Sequence, residues 1–514
     1  MSFDTAFYYR LTNSFSGAGQ SLDVIPDGSC HLKMAQTGNY SGQFWKLVDL
    51  GGGKYGLRTA YLGDCFSLDV MNDGTNTTPW LAATGNYSGQ FWTLAPWGDG
   101  TYKLTNDFTG PGKSLDTYSD TYQPFLDTGD HSGQHWTLTP LTRIPDNAAI
   151  PDLDPKGSVY KTEGPTDFTF YARPEGIVKA VMVFVDFSNA PAGPTSASDT
   201  ANHLLGNGQA QALYHAQSDQ KLILDVTVRS DLGWKRMPGP STNYNFQTFA
   251  SHKAYITDAA ALFSPSEVRF SDYTFVFLVA PQNAGFPLSP AFNAPPGSGA
   301  PSPSGEIRLG VTLGTDSYTN RFINLVHEVG HLFGLPDLYP YGGGADNSQV
   351  GCWSIMSDIF HAVSFLGWHR HKNGWLSPSR KTYLSQNASE WYATLSPLSG
   401  ACGLSMVVLP IDDALNPSKV FVVEVVQPVL GSNNALWGEG VLLYTVDATI
   451  PTGSSPVAII PKTTSTSPVY GYLYEAPYLL NDRMSHTEGT ASITLEILQK
   501  FGSSYHIKIA YHRQ

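Results

Sequence analysis

His327, Glu328, His331, Gly334 and Asp337 stand at a spacing that suits one catalytic zinc ion. At about 3.6 residues per turn, two residues four apart lie roughly 40° from each other on a helix, so both imidazoles can grip one metal. Glu328 sits beside them and is not needed as a ligand. Its carboxylate is free to take a proton from a water acidified by the metal and to return it to a leaving amine. A straight helix would carry Asp337 away from the ion. Gly334 tolerates the sharp turn that swings it back as a third ligand, and Pro336 argues against helix continuing there. Two histidines and a carboxylate leave a fourth position open, the catalytic rather than the structural pattern. The bare His-Glu-x-x-His pentad also arises in helices that bind nothing. The added Gly and Asp, and the apolar Phe322, Leu325, Val326, Val329, Leu332 and Phe333, favour the zinc site.

Such a helix needs a layer to lie on. Residues 178–187 and 273–280 read as buried strands, and residues 209–218 and 255–263 as helices. Residues 285–305 are rich in Pro, Ser and Gly, which predicts a long irregular loop, either a flap over a cleft or a solvated loop. Residues 307–311 read as the strand bordering that cleft.

The run from His331 through Gly334, Asp337 and Tyr339, followed by Gly351-Cys352-Trp353-Ser354-Ile355-Met356-Ser357, resembles the metzincins and, more narrowly, immune inhibitor A-type metallopeptidases. Residues 214–218, 221–224, 367–376 and 437–447 look like framing segments of the same family. The resemblance implies a zinc-dependent endopeptidase with an α+β or α/β metzincin-like catalytic domain, one zinc ion on His327, His331 and Asp337, and Glu328 as general base and acid. It also implies a methionine turn at Met356, and an edge strand that pairs with the substrate backbone. Two departures stand out. No acidic loop lies between Asp272 and Phe275, so a structural calcium is not implied. Asp358 stands where metzincins often carry a tyrosine, which leaves the oxyanion helper open, with His361 as a candidate.

The first 140 residues repeat three times. Ser21-Leu22-Asp23, Ser67-Leu68-Asp69 and Ser114-Leu115-Asp116 each lead to a Ser-Gly-Gln-x-Trp unit, ending at Trp45, Trp92 and Trp136. This pattern resembles the ricin B-type lectin β-trefoil, an all-β fold. The tryptophans are expected in the core, with Gln43, Gln90 and Gln134 bonding nearby backbone. The resemblance makes Asp23, Asp69 and Asp116 candidates for sugar hydroxyls, against the plainer reading that each stabilises a turn. Trp80 is a ring on which a pyranose can stack, which makes the second repeat the preferred site. Galactose-binding relatives often have Asn before the Gln, whereas this chain has Gly42, Gly89 and Gly133, so the sugar is left open.

The chain has 514 residues, too many for one core. Four segments are expected: 1–140 a ricin B-type trefoil, 141–165 a Pro- and Asp-rich linker, 166–395 the catalytic domain, and 396–514 a β-rich, sandwich-like domain. Thirty Lys and Arg stand against 43 Asp and Glu, a net charge of −13 without a basic run, which argues against nucleic acid. No apolar stretch is long enough to span a membrane. Cys30, Cys65, Cys352 and Cys402 allow three pairings and no Cys-x-x-Cys site. Secretion would suit such a peptidase, although the first residues carry no visible signal peptide. The expected partners are protein or glycoprotein substrates, with glycans held by the lectin. The rival readings are an inactive carbohydrate-binding lectin or toxin, and a zinc amidase acting on glycoconjugates. The intact Glu328 speaks against the first.

Overall fold

The computed structural model describes residues 3–25, 30–118, 121–144, 149–157, 160–342, 349–362, 364–400, 403–427, 438–462 and 471–514. Cys402 and Trp437 therefore lie outside the described residues.

Strands Phe7–Asn13, Trp45–Gly51, Lys54–Thr59, Trp92–Pro96, Tyr102–Asn106 and Trp136–Arg143 close a six-stranded barrel. Three hairpins cap it: Gln20–Val24 with Leu32–Gln36, Phe66–Val70 with Pro79–Ala83, and Ser114–Thr117 with Pro124–Asp127. That is the β-trefoil arrangement. Trp45, Trp92 and Trp136 are fully buried, and each indole N–H donates to the carbonyl of Leu22, Leu68 or Leu115 in its own repeat, at 2.8–2.9 Å. Burying so large a ring is favourable only because its one polar atom finds an acceptor.

The middle of the chain builds a sheet in the order Leu222–Val228, Gly176–Asp186, Phe275–Val279, Leu309–Leu313, Ala291–Asn293. The first four strands run parallel and the last antiparallel. Side chains of the second strand alternate between two cores. Ala180, Met182 and Phe184 face the layer that holds the helix Phe322–Leu332, while Val181, Val183 and Val185 face the helix Phe249–Ala260. A strand buried on both faces has to read as a continuous apolar run, as this one does. The helix expected at 255–263 begins earlier because Thr248 and Ser251 form a capping box ahead of Phe249.

Two expectations about the cleft change. The segment 285–305 is not irregular throughout: it contains the strands Ala291–Asn293 and Ala300–Ser302. The strand that borders the cleft is Ala291–Asn293, since Leu309–Leu313 lies inside the sheet with a partner on each side.

At the carboxyl end, a five-stranded and a four-stranded sheet enclose a common core that includes Trp391, Phe421, Val423, Leu495 and Ile507. Lys381–Tyr383 and Ala388–Leu395 belong to these sheets although both precede residue 396. The outer face of the five-stranded sheet is apolar too: Val420, Val422, Leu442 and Tyr444 join the core under the helix Phe322–Leu332. The segment expected as a linker is packed over much of its length. Ile150 and Leu153 enter that same core. The buried Glu163 accepts from His369 Nε2 at 2.8 Å and Trp368 Nε1 at 3.1 Å, and Lys372 Nζ bonds the carbonyls of Thr162 and Gly164. Phe44 and Ala60 of the trefoil meet Tyr392 of the four-stranded sheet.

Candidate functional site

The helix Phe322–Leu332 ends where the chemistry needs it to. Gly334 adopts φ +88°, its N–H bonds the carbonyl of His331, and the N–H of Leu335 bonds that of Gly330, a Schellman closure that reverses the chain. Asp337 thereby returns to the histidines. Its Oδ1 lies 3.1 Å from His327 Nε2 and 3.2 Å from His331 Nε2, and all three residues are buried. Their candidate ligand atoms fall within 4.8 Å of one another.

Both rings are oriented from behind. Nδ1 of His327 faces the carbonyl of Ile355 and Nδ1 of His331 that of Leu335, each at 2.8 Å. A carbonyl can only accept, so each Nδ1 carries a proton and each Nε2 is the ring atom presented to Asp337. Asp337 Oδ1 is a buried carboxylate oxygen without a hydrogen bond of good geometry. A buried carboxylate oxygen set between two imidazole Nε2 atoms fits a divalent cation with N and O ligands, and zinc is the ion that two histidines and one carboxylate suit.

Glu328 is half-buried next to this group, and its Oε2 accepts from the N–H of Ala291 on the cleft-bordering strand at 2.7 Å. Burial pushes its carboxyl up to about 8, against the pull of His327 and with the charge of Asp337 adding to the rise. The His327 and His331 contacts hold Asp337 well below the usual carboxylate range despite its burial. Met356 is fully buried and lies under Gly330, where an added Cβ would come within 2.7 Å of its sulfur. The same turn holds both ends of the ligand set, through the Ile355 carbonyl on His327 and the Met356 carbonyl on the N–H of Leu338.

Several residues at the site were not visible in the sequence. Thr452 Oγ1 accepts from the N–H of Asp337 at 2.9 Å, Gly453 N–H donates to the Asp337 carbonyl at 3.2 Å, and both come from the loop after strand Gly440–Asp447 of the five-stranded sheet. Tyr341 donates to Asp337 Oδ2 at 2.9 Å. The ring of Tyr339 lies beside that of His327, with centroids 6.4 Å apart. Lys161, in the supposed linker, lines the same cleft; burial lowers its ammonium to about 8, against the opposing charges of Asp337 and Glu328. Tyr339 and Tyr341 follow Asp337 so closely that their spacing was the one available signal. Nothing local marks Lys161 or Thr452. The helper considered at His361 is placed elsewhere: its Nδ1 bonds Asp358 Oδ2 at 2.7 Å, and it lines a different cavity with Trp353 and Phe365.

The cleft has a volume of ≈ 590 Å³. Its walls mix polar and apolar side chains; Phe249 stacks on Phe292 at 5.2 Å, and Leu288 and Phe360 are well exposed at its margin.

In the trefoil, Asp23, Asp69 and Asp116 sit at equivalent positions. Oδ1 of each accepts from the next residue's N–H at 2.7–2.8 Å. Gln43 and Gln90 donate to Oδ2 of Asp23 and Asp69. A Cβ on Gly42, Gly89 or Gly133 would come within 2.1, 1.9 or 2.0 Å of the matching Oδ1, so the glycine before each Gln is dictated by the aspartate's approach. The turn-holding role is therefore present at all three, and the second lone pair on each oxygen is what is left for a ligand. Trp80 pairs directly across from Asp69. The aromatic turn residues Tyr40 and Tyr87, both exposed, were missed although they recur at equivalent positions.

Comparison of the sequence with protein-family models and with curated proteins returns no match. Among solved structures, a designed threefold-symmetric protein, ThreeFoil, is 27% identical over 27% of this chain and all of its own, with a TM-score of 0.23. The BEL β-trefoil is 13% identical over 27% of this chain and 97% of its own, at 0.24. An exo-β-1,3-galactanase from Clostridium thermocellum is 23% identical over 26% of this chain and 30% of its own, at 0.23. Similar structures thus include β-trefoil proteins, over a quarter of the chain. No helix among the described residues is long and apolar enough to cross a membrane.

Proposed function

We propose that this chain is a zinc endopeptidase of the metzincin type, similar to immune inhibitor A, whose trefoil holds it to glycans on its protein substrates. The observation that carries the reading is the convergence of His327 Nε2, His331 Nε2 and Asp337 Oδ1 beside Glu328, in a cleft bordered by an antiparallel edge strand. A zinc ion held there would supply Lewis-acid chemistry, acidifying a water and polarising a peptide carbonyl. Glu328, beside the two histidines and fixed by the Ala291 N–H, would be the base that takes a proton from the attacking water and hands it to the leaving nitrogen. Tyr339, whose hydroxyl burial keeps protonated, offers a donor to the oxygen that gains negative charge. The apolar Phe249 and Phe292 pair suits a hydrophobic substrate side chain. Action outside the cell suits such an enzyme, and the disulfide-bonded Cys65 belongs in an oxidising compartment.

The test is hydrolysis of casein and of a glycopeptide by wild type and Glu328→Ala, with metal content measured on both. The variant is expected to keep its zinc and lose about 10²–10⁴-fold in rate. Chelation should abolish the wild-type activity, and added zinc should restore it. Full casein cleavage by Glu328→Ala would falsify the mechanism. Turnover confined to the amide bonds of the glycopeptide's sugar linkage would instead favour an amidase.

A further inference from the structure

The three trefoil repeats share a backbone but differ in the side chain that stands across from the equivalent aspartate. Strand register pairs Asp23 with Lys33, Asp69 with Trp80 and Asp116 with Phe125. The first repeat thus carries a cation where the other two carry an aromatic ring. Asp23, Lys33, Gln36, Tyr40 and Gln499 line a cavity of ≈ 260 Å³ there.

Three features make this pocket more than a solvated groove. The Asp23 carboxylate is fixed, by the Val24 N–H at 2.8 Å and Gln43 Nε2 at 3.0 Å, and is 9% exposed. Lys33 is half-buried and makes no hydrogen bond or close ion pair to a described residue, although its charge acts on the neighbouring Asp23. An ammonium partly withdrawn from water whose N–H groups make no hydrogen bond can donate to an anionic ligand. Gln499 comes from outside the trefoil. The pairing of strand Ala491–Phe501 with Ser504–Arg513 shifts register between Ile497 and Gln499. The irregularity leaves Leu498 packed in the cluster of Phe44 and Tyr392, while Gln499 becomes a wall of the pocket.

We propose that this first pocket binds a terminal acidic sugar, its carboxylate on Lys33, its hydroxyls on Asp23 and its remaining polar edge on Gln499. The second and third repeats, with Trp80 and Phe125, suit the faces of neutral pyranoses. This rests on the reading that the trefoil binds glycans, and adds the class of sugar and the contribution of the carboxyl-terminal sheet. Sialic acid and glucuronic acid share the required chemistry.

The experiment is titration of the full chain with lactose, lactose capped by sialic acid, and lactose capped by glucuronic acid. At least one capped probe should bind about tenfold tighter than lactose, with the preference shrinking as salt is raised. A gain for one cap only identifies the source, and a gain for both identifies the carboxylate as the shared determinant. Lys33→Gln should remove the tenfold preference of the capped probe over lactose. Lys33→Arg should keep most of the preference, and Gln499→Ala should weaken the capped probe severalfold. If neither cap improves on lactose, or the improvement survives Lys33→Gln, the inference is overturned while the lectin reading stands. If none of the three probes binds, the lectin reading falls and this inference with it.

Discussion

In the trefoil each aspartate is held by its own repeat: Asp23 by Val24 and Gln43, Asp69 by Val70 and Gln90. Asp337 is held differently, by Tyr341 from its own segment but also by Thr452 and Gly453, which belong to another sheet and lie more than a hundred residues away. The ring of Trp92 closes on Leu68 nearby, whereas His327 is aimed by the carbonyl of Ile355, 28 residues away. A site held locally can be copied, and this one was copied twice. A site held by distant segments can form only once, and it depends on all of them.

The contrast can be broken at several points. Trp92→Ala removes a fully buried indole and should cost the trefoil about 3–5 kcal/mol. Calorimetry should show the trefoil melting earlier, with hydrolysis of a small unglycosylated peptide retained. Equal loss of both would mean that the two regions unfold as one.

Acid should act on them in opposite senses. Burial lowers His252, beside the cleft, and His506, in the carboxyl-terminal sheet, to about 4. Between that value and the ordinary 6.5 the unfolded chain binds more protons, so stability falls as pH falls through this window, by up to about 3 kcal/mol per histidine. In the trefoil, His135 is raised by Asp130 and Asp99, so its contribution is present below 6.5 and fades as pH rises through its raised value. Thermal scans from pH 7 to pH 4 should lower the transition of the part of the chain beyond the trefoil more than that of the trefoil.

Thr452→Val removes the acceptor of the Asp337 N–H and should weaken zinc binding about 10–100-fold, read by competition with a chelating dye, with Thr452→Ser close to wild type. Unchanged zinc affinity in the valine variant would show that the carboxyl-terminal sheet merely touches the site. The smallest effect is expected from Gly330→Ala. The new methyl would press on Met356, whose flexible thioether can yield, for a cost of about 1 kcal/mol seen in Tm.

What could be read in the chain follows the same division. The threefold Gln-x-Trp pattern marked the trefoil because each repeat contains its own partners, and the spacing of His327, Glu328, His331 and Asp337 marked the candidate site because it follows one turn of helix and one reversal. The strand Ala291–Asn293 was hidden, since three residues within a Pro-, Ser- and Gly-rich run show no period. Lys161 and Thr452 were hidden for a different reason: their role comes from the fold bringing remote segments together. The carboxyl-terminal sheets start before residue 396 because Lys381–Tyr383 is too short to announce a strand.

The buried pair of Glu163 and His369 has a consequence for how this protein could be cut and recombined. It fastens the segment ahead of the parallel sheet to the helix Gly367–Lys372 behind it, so the unit that holds the candidate site is longer than its sheet and helices suggest. An exchange of domains with another protein that joined the chains at residue 166 would leave His369 facing a hole where its acid had been. A junction placed before residue 149 would keep the pair, and is the one at which a different amino-terminal domain could be attached.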